Sequence, residues 1–588
     1  MKILKRITSI ALLLIALMVS GCKKDIDKPK DPTPNTSAEA KLDLGSKVAA
    51  KFFGVVKDES GNAISGVAIK AGNKTATTDA NGVFIIDQAS VDEKLAFVTA
   101  KKSGYFLGSR SVIPSTTATN NIRITMLALD IVGSVNSGEE KTITLGSGAA
   151  IDFKGKYVDN NGNAYSGAVS VAFKHLPALA NETADQMPGM LYAQNAAEEA
   201  GVLETYGMIA VELFSATGQE LQIDDASSAT IRMPLESAQL TNAPNTIPLW
   251  HFDEVAGYWI EEGEATLVNG EYVGTVNHFS FWNCDDFIDD AQLNGSVLDQ
   301  SGNPLSNVIV TIITPNSSTS GLTASDGSFF TYVPANVSVT LEVEDDCGNA
   351  VTSFNAGPYT TNSINSETLT ATIPTVQVTG MFYDCNNNLI TNGYVVLTSG
   401  SSTYFQSVTN GLVDIPILVC NMPTSINVKA YDYTAIQESN SITVPVVLPV
   451  TNLGNLISCN SISEYITYSI DGGAATTIFP PLSCSAQFDS LTNIVSGFYV
   501  YYNGGNSYFQ LSSNVIIAGS HPYGGLNGMT IYSSDIEINQ GTAPAISFDS
   551  NSFGAVGSYV DVNFNGSYFD NNNVSHTLTG TVHALRDN

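Results

Sequence analysis

In this 588-residue chain the stretch with the strongest claim to chemistry is His251-Phe252-Asp253-Glu254, a histidine and an acid at the H-x-x-E spacing that can grip one zinc ion. His278 is available as a third ligand, and convergence of His251, Glu254 and His278 on a cleft would make this region a hydrolase. Gly257-Tyr258-Trp259 follows at once, however, and reads as the turn of a β-hairpin, while His278 follows too soon for the zinc peptidases that share the spelling. The preferred reading is therefore a histidine and acids flanking an aromatic β core, with no metal ligand and no catalytic residue assigned. His576 and His583 lie seven positions apart on one expected strand, so they face opposite sides and cannot share a metal. Asp285-Asp286-Phe287-Ile288-Asp289-Asp290 could offer oxygen ligands to calcium at a junction between domains. Its ligand order fits no defined loop, and it reads as a solvated acidic linker. No G-x-S-x-G elbow, C-x-x-C pair or G-x-x-x-x-G-K loop occurs, so hydrolase, redox and nucleotide chemistry have no positive signal, no cofactor is expected, and the chain reads as a non-enzyme.

A second kind of chemistry is stacking on sugar rings. Tyr499, Tyr501, Tyr502, Tyr508, Phe509 and Tyr523 could provide it if they shared an exposed face, but strand alternation buries about half of such a set. Core packing is preferred, and glycan binding stays open as the alternative.

Charge and targeting narrow the field. Met1-Lys-Ile-Leu-Lys-Arg6, a mainly apolar run over 7–19 and Val19-Ser20-Gly21-Cys22 have the order of a secretory signal with a lipobox. The expected mature chain begins at a lipidated Cys22; an ordinary signal or a free cysteine is the alternative. Lys23 follows where some bacterial lipoproteins carry an aspartate that retains them at the inner membrane, which favours the outer membrane or cell surface. Residues 22–48 are charged and proline-rich, the composition of a disordered tether. The formal charge is −31, or −34 once the three basic residues of the leader are gone, and beyond residue 291 the only Lys or Arg are Lys429 and Arg586. Such a surface repels phosphate backbones, so nucleic acid is excluded as a partner.

Four copies of one phrase organise the rest: Gly54 (GVVKDESGNAISG), Gly155 (GKYVDNNGNAYSG), Gly295 (GSVLDQSGNPLSN) and Gly380 (GMFYDCNNNLITN). Each reads as a strand, a polar turn whose aspartate can bond the backbone, and a second apolar strand. Three copies carry a second turn downstream, at Thr78-Asp79-Ala80-Asn81-Gly82-Val83-Phe84, Thr323-Ala324-Ser325-Asp326-Gly327-Ser328-Phe329 and the weaker Ser407-Val408-Thr409-Asn410-Gly411-Leu412-Val413. On these turns residues 49–130 and 289–375 resemble the carboxypeptidase regulatory-like domain, a small transthyretin-like β-sandwich. Residues 376–458 resemble a divergent copy, with Asn387 for Gly and Val413 for Phe. The resemblance implies a spacer or adhesion unit without peptidase residues.

The Gly155 copy sits in residues 131–288, with all three tryptophans and the phrases Met187-Pro-Gly-Met190, Leu203-Glu-Thr-Tyr-Gly-Met208, Pro248-Leu-Trp-His-Phe-Asp253 and His278-Phe-Ser-Phe-Trp-Asn283. These phrases resemble the extracellular β-domain of cartilage intermediate layer protein and related surface proteins. Met190 to Glu199 is predicted as one short helix ended by Gly201. Residues 459–588, with strand-like runs at Phe498–Tyr502, Tyr559–Gly566 and Thr577–Leu585, read as a terminal β-sandwich or barrel.

Cys284, Cys347, Cys385, Cys420, Cys459 and Cys484 remain beside Cys22, an even number that favours disulfides in an oxidising compartment. Cys385 with Cys420 is the preferred pair, because both fall inside one repeat. The fold expected is all-β: a string of small sandwiches with the terminal unit farthest from the membrane. The function expected is a non-enzymatic lipoprotein of adhesion, envelope architecture or display, partnered by the membrane through its lipid and by a glycan or another surface protein. The alternative is a glycan-binding lipoprotein for polysaccharide capture.

Overall fold

The repeat turns close through their aspartates. The computed structural model describes residues 40–588 except 315–316, 346, 401, 419, 462–463, 474, 479–481, 490–493, 504–507, 514–517, 526, 540, 554–558 and 588; the signal, Cys22 and most of the tether lie outside the described residues. Asp58 Oδ1 accepts the backbone N–H groups of Ser60 (2.9 Å) and Asn62 (2.8 Å), and its Oδ2 accepts the Asn62 side-chain amide (3.0 Å). Asp159, Asp299 and Asp384 make the same three bonds to residues two and four positions on. This is the side-chain turn that the phrase predicts. Asp345, outside the repeat, builds another with Cys347 and Asn349.

Three of the four copies then fold alike. In the first, strand Lys47–Asp58 lies between Val83–Asp92, antiparallel, and Thr119–Met126, parallel, and packs on a second sheet in the order Lys74–Thr77, Ala68–Ala71, Ala96–Lys101, Gly108–Val112. The Gly295 copy repeats this with Asp290–Leu298 between Ser328–Pro334 and Ile364–Thr370, over a four-stranded sheet spanning 309–356. The Gly380 copy does the same with Thr375–Asp384 between Leu412–Leu418 and Val450–Ser461. We call these the first, third and fourth sandwiches. The repeat glycine has a steric reason: it pairs with Phe84 or Phe329, and a Cβ on Gly54 or Gly295 would overlap that phenyl ring. Opposite Gly380 stands the smaller Val413.

The Gly155 copy keeps the turn without the sandwich. Tyr157–Asp159 joins Ala164–Tyr165 and Glu220–Ile223 at one end of a 14-stranded sheet, the second unit, which folds around two cores containing the fully buried Trp250, Trp259 and Trp282. The helix expected over Met190 to Glu199 is a strand, Tyr192–Gln194. Asn195 Oδ1 accepts the N–H groups of Ala197 (3.0 Å) and Glu199 (2.9 Å), turning the chain back into strand Ala200–Ser215, and Ala193 pairs with Trp259. Among the described residues of this region the one helix, Thr183–Gln186, lies just upstream. The terminal unit is a sandwich of a six-stranded and a four-stranded sheet around Phe498, Val500, Phe509, Phe548 and Phe564.

The all-β fold of several small sandwiches is as expected, but the units do not lie end to end, because the first sandwich touches every other unit. Its outward Phe53, Val55, Val83 and Ile85 pack on Tyr394, Val396, Phe405, Tyr431 and Tyr433 of the fourth sandwich. Tyr394 donates to Asp79 and accepts from Asn81 Nδ2 (2.8 Å), while Tyr433 donates to the Thr77 carbonyl (2.6 Å). Phe106 and Leu127 enter a core of the second unit, and Leu95 joins Tyr192, Tyr258 and Ile260. Thr119 N and Asn121 Nδ2 bond Ser325 Oγ (2.9 Å) and the Thr323 carbonyl (2.7 Å) of the third sandwich. Gly66 and Thr77 line a crevice with Tyr502 and Ile478 of the terminal unit.

The cysteines correct the expected pair. Cys385 bonds to Cys459 and Cys420 to Cys347, in place of Cys385 with Cys420. Cys385 follows Asp384, which pairs with Ser458 across parallel strands, so Cys459 arrives beside it with Cα atoms 5.1 Å apart. Leu418 sits in the core of the third sandwich and carries Cys420 to that unit's Asp345 turn. Cys284 and Cys484 are buried free thiols. No helix among the described residues is long and apolar enough to cross a membrane.

Candidate functional site

Strands Thr246–Asp253 and Tyr258–Val268 form the predicted hairpin, whose turn is closed by Asp253 Oδ1 accepting from Val255 and Ala256, both at 2.8 Å. Glu254 stands in that turn, exposed, and does not meet the histidines. His251 and His278 do meet, and the acid between them is Glu262. His251 pairs with Ile260 across the hairpin, so Glu262, two residues on, shares its face; Gly263, at φ +87, takes up a bulge just beyond. His278 enters from the loop before strand Phe281–Ile288, whose Trp282 pairs with His251.

Glu262 Oε2 lies 3.5 Å from His251 Nε2 and 3.4 Å from His278 Nε2, and the three donor atoms all fall within 4.8 Å of one another. The imidazoles meet edge to face at 4.9 Å, on a floor made by Trp282, whose Nε1–H is fixed by the His278 carbonyl at 3.1 Å. Both histidines are 3% exposed, and burial, together with the neighbouring His278, pushes His251 down to about 3. It is neutral at neutral pH, with its lone pair free of a proton. His251 Nε2 and His278 Nδ1 are buried without a hydrogen-bond partner in the protein. Two imidazoles and a carboxyl group in this arrangement can ligate a cation or hold a proton.

The other sequence candidates separate. Asp285 to Asp290 is no linker but the end of one strand and the start of the next, so its carboxylates diverge. Asp285 is fully buried, its carboxyl pushed well up by burial, with Asn283 Nδ2 donating to it at 2.5 Å. His576 is held by Asp471 (2.7 Å), and His583 by Asp561 (2.5 Å), apart as expected. At the junction of the first, second and third units lies a cavity of about 150 Å³, but its Arg110 already donates to the carbonyls of Met187 and Ala184.

The terminal aromatics divide by strand alternation. Tyr502 and Phe509 join the core, Tyr523 packs at its margin, and Tyr499 and Tyr501 turn to the opposite face of the four-stranded sheet. There they share the surface with Tyr532, which the sequence reading left out, and with Tyr508 at the edge; these last two are 44% and 43% exposed.

Comparison with known proteins adds no family: no family model and no curated protein matches the chain. Among solved structures, the shaft pilin SpaA of Lactobacillus rhamnosus GG is 9% identical over 30% of this chain and 98% of its own, with a TM-score of 0.16. A streptococcal ancillary pilin is 10% identical over 39% of this chain and 98% of its own, with a TM-score of 0.13. The Bacillus anthracis TIE protein is 9% identical over 62% of this chain and 72% of its own, with a TM-score of 0.14. Superpositions this poor support nothing about the function of this chain.

Proposed function

We propose that this chain is a non-enzymatic surface lipoprotein, tethered through Cys22, that serves adhesion or envelope architecture. The observation that carries the reading is the first sandwich, apolar on both faces and fastened to every other unit. A rigid assembly of β units, two of them joined by a disulfide between the third and fourth sandwiches, suits mechanical duty outside the cell. The acidic surface and the Val19-Ser-Gly-Cys22 signal fit the same place. The test is lipid labelling and protease shaving of intact cells. Incorporation of labelled palmitate that Cys22→Ser abolishes, with release of the chain by protease, supports the reading; an unlabelled chain protected from protease contradicts it.

A second reading, glycan capture, is favoured by the tyrosine face. Tyr499, Tyr501 and Tyr532 sit on one sheet among Gln510, Ser512 and Thr530, a mixture of rings and hydrogen-bonding groups suited to a neutral sugar chain. A glycan array probed with residues 23–588 decides it, provided Tyr501→Ala removes any signal.

A further inference from the structure

The cluster of His251, Glu262 and His278 has a feature that a purely structural contact does not explain. Three donor atoms lie within 4.8 Å of one another, yet among the described residues no Lys or Arg pairs with the carboxylate, and His251 Nε2 is buried without a hydrogen-bond partner. Two of the three separations fit an ion between them. Zinc holds nitrogen and oxygen ligands at about 2.0–2.1 Å in a tetrahedron, whose edges are then roughly 3.3–3.4 Å. The two donor pairs across Glu262 stand at 3.5 and 3.4 Å.

From this geometry we propose that His251 Nε2, His278 Nε2 and Glu262 form a binding site for a divalent transition metal of the zinc class. Two imidazoles and one carboxylate suit such ions better than calcium or magnesium, which take oxygen ligands. Glu262 is the most exposed of the three, its side chain 18% open, so ions enter on its side and water completes the coordination there. The ion would staple the hairpin of strands Thr246–Asp253 and Tyr258–Val268 to the loop holding His278. Its role is structural, a fixed point beside Trp282 in the second unit.

The test uses residues 23–588, stripped with chelator and titrated with zinc chloride by calorimetry, with cobalt or copper followed by quenching of tryptophan fluorescence. The expected result is one equivalent bound with a dissociation constant of about 1 μM or tighter, and a rise of a few degrees in Tm at saturating zinc. Glu262→Gln keeps the shape and the folded spectrum but weakens binding by more than about 10-fold, and His278→Gln does the same. The acidic surface makes adventitious binding a real competitor, and these variants distinguish it. A folded wild type with no stoichiometric binding up to about 1 mM overturns the proposal, as does stoichiometric binding that neither variant weakens.

Discussion

The first and third sandwiches share their strand order, their Asp turn and the phenyl ring over the repeat glycine, yet they use their outer faces in opposite ways. Around Gly54 the strand reads Phe52-Phe53-Gly54-Val55-Val56; around Gly295 it reads Leu293-Asn294-Gly295-Ser296-Val297. Inward positions match, Phe52 with Leu293 and Val56 with Val297. Outward positions do not: Phe53 and Val55 face the fourth sandwich, where Asn294 and Ser296 are half-buried and polar. The neighbouring strand repeats the contrast, with Val83 opposite Val55 and Ser328 opposite Ser296. One fold thus becomes a hub or a peripheral unit according to a second apolar stripe, because a strand apolar on both faces must be covered on both.

That comparison can be broken most sharply at the paired positions Phe53 and Asn294. Phe53→Asp puts an unpaired charge into the contact with the fourth sandwich and is expected to destabilise the chain by more than about 4 kcal/mol in chemical denaturation. Asn294→Asp, its counterpart, is expected to stay within about 0.5 kcal/mol. Equal effects would mean that the two outer faces are alike. Next in size is Tyr394→Phe, which leaves Asp79 and Asn81 without their hydroxyl partner and should cost about 1–3 kcal/mol, measured the same way.

The shared part of the two sandwiches should respond equally. Thr78 Oγ1 donates to the Ile64 carbonyl and accepts from Val67 N, and Thr323 Oγ1 does the same with Leu305 and Val308, at 2.6–3.0 Å. Thr78→Val and Thr323→Val should therefore cost about the same, ~1–2 kcal/mol each; a large disparity would show that the likeness ends at topology.

A pH dependence at Asp79 separates the hub from the third sandwich. Burial holds the Asp79 carboxyl up at about 6, from an ordinary 3.8, against the hydrogen bonds of Tyr394, Val83 and Asn81, and the third sandwich has Ala324 at the matching place. The folded chain holds this proton more tightly than the unfolded one. The group's contribution is therefore full below about pH 4 and is lost as pH rises through 6. Asp79→Asn should flatten this part of the stability profile between pH 4 and 6, and an unchanged slope would assign it to other groups.

How much of this the sequence carried depended on range. The turns were legible because Asp58 and Asn62 are four residues apart and settle their own geometry. The buried Tyr502 and Phe509 and the outward Tyr499 and Tyr501 followed from strand alternation. The hub was written in the unbroken run Phe52 to Val56, but what covers it lies more than 300 residues on, at Tyr394, and local pattern cannot name a distant partner. His251 and His278 were visible as a pair, while Glu262 was hidden behind the nearer Glu254; counting across the hairpin from Ile260 would have found it. The disulfides failed for the same reason as the hub, since parallel pairing of Asp384 with Ser458 and docking of Leu418 in the third sandwich decide them.

The hub itself is tested most directly by small-angle X-ray scattering of residues 40–588 in dilute solution. A string of five sandwiches, with strands of about 10 residues at ~3.3 Å each, would extend roughly 150 Å or more end to end. The packing around the first sandwich predicts a maximum dimension well short of that and one main peak in the pair-distance distribution, with Phe53→Asp lengthening the particle. A rod-like profile in the wild type, unchanged by Phe53→Asp, would contradict the account.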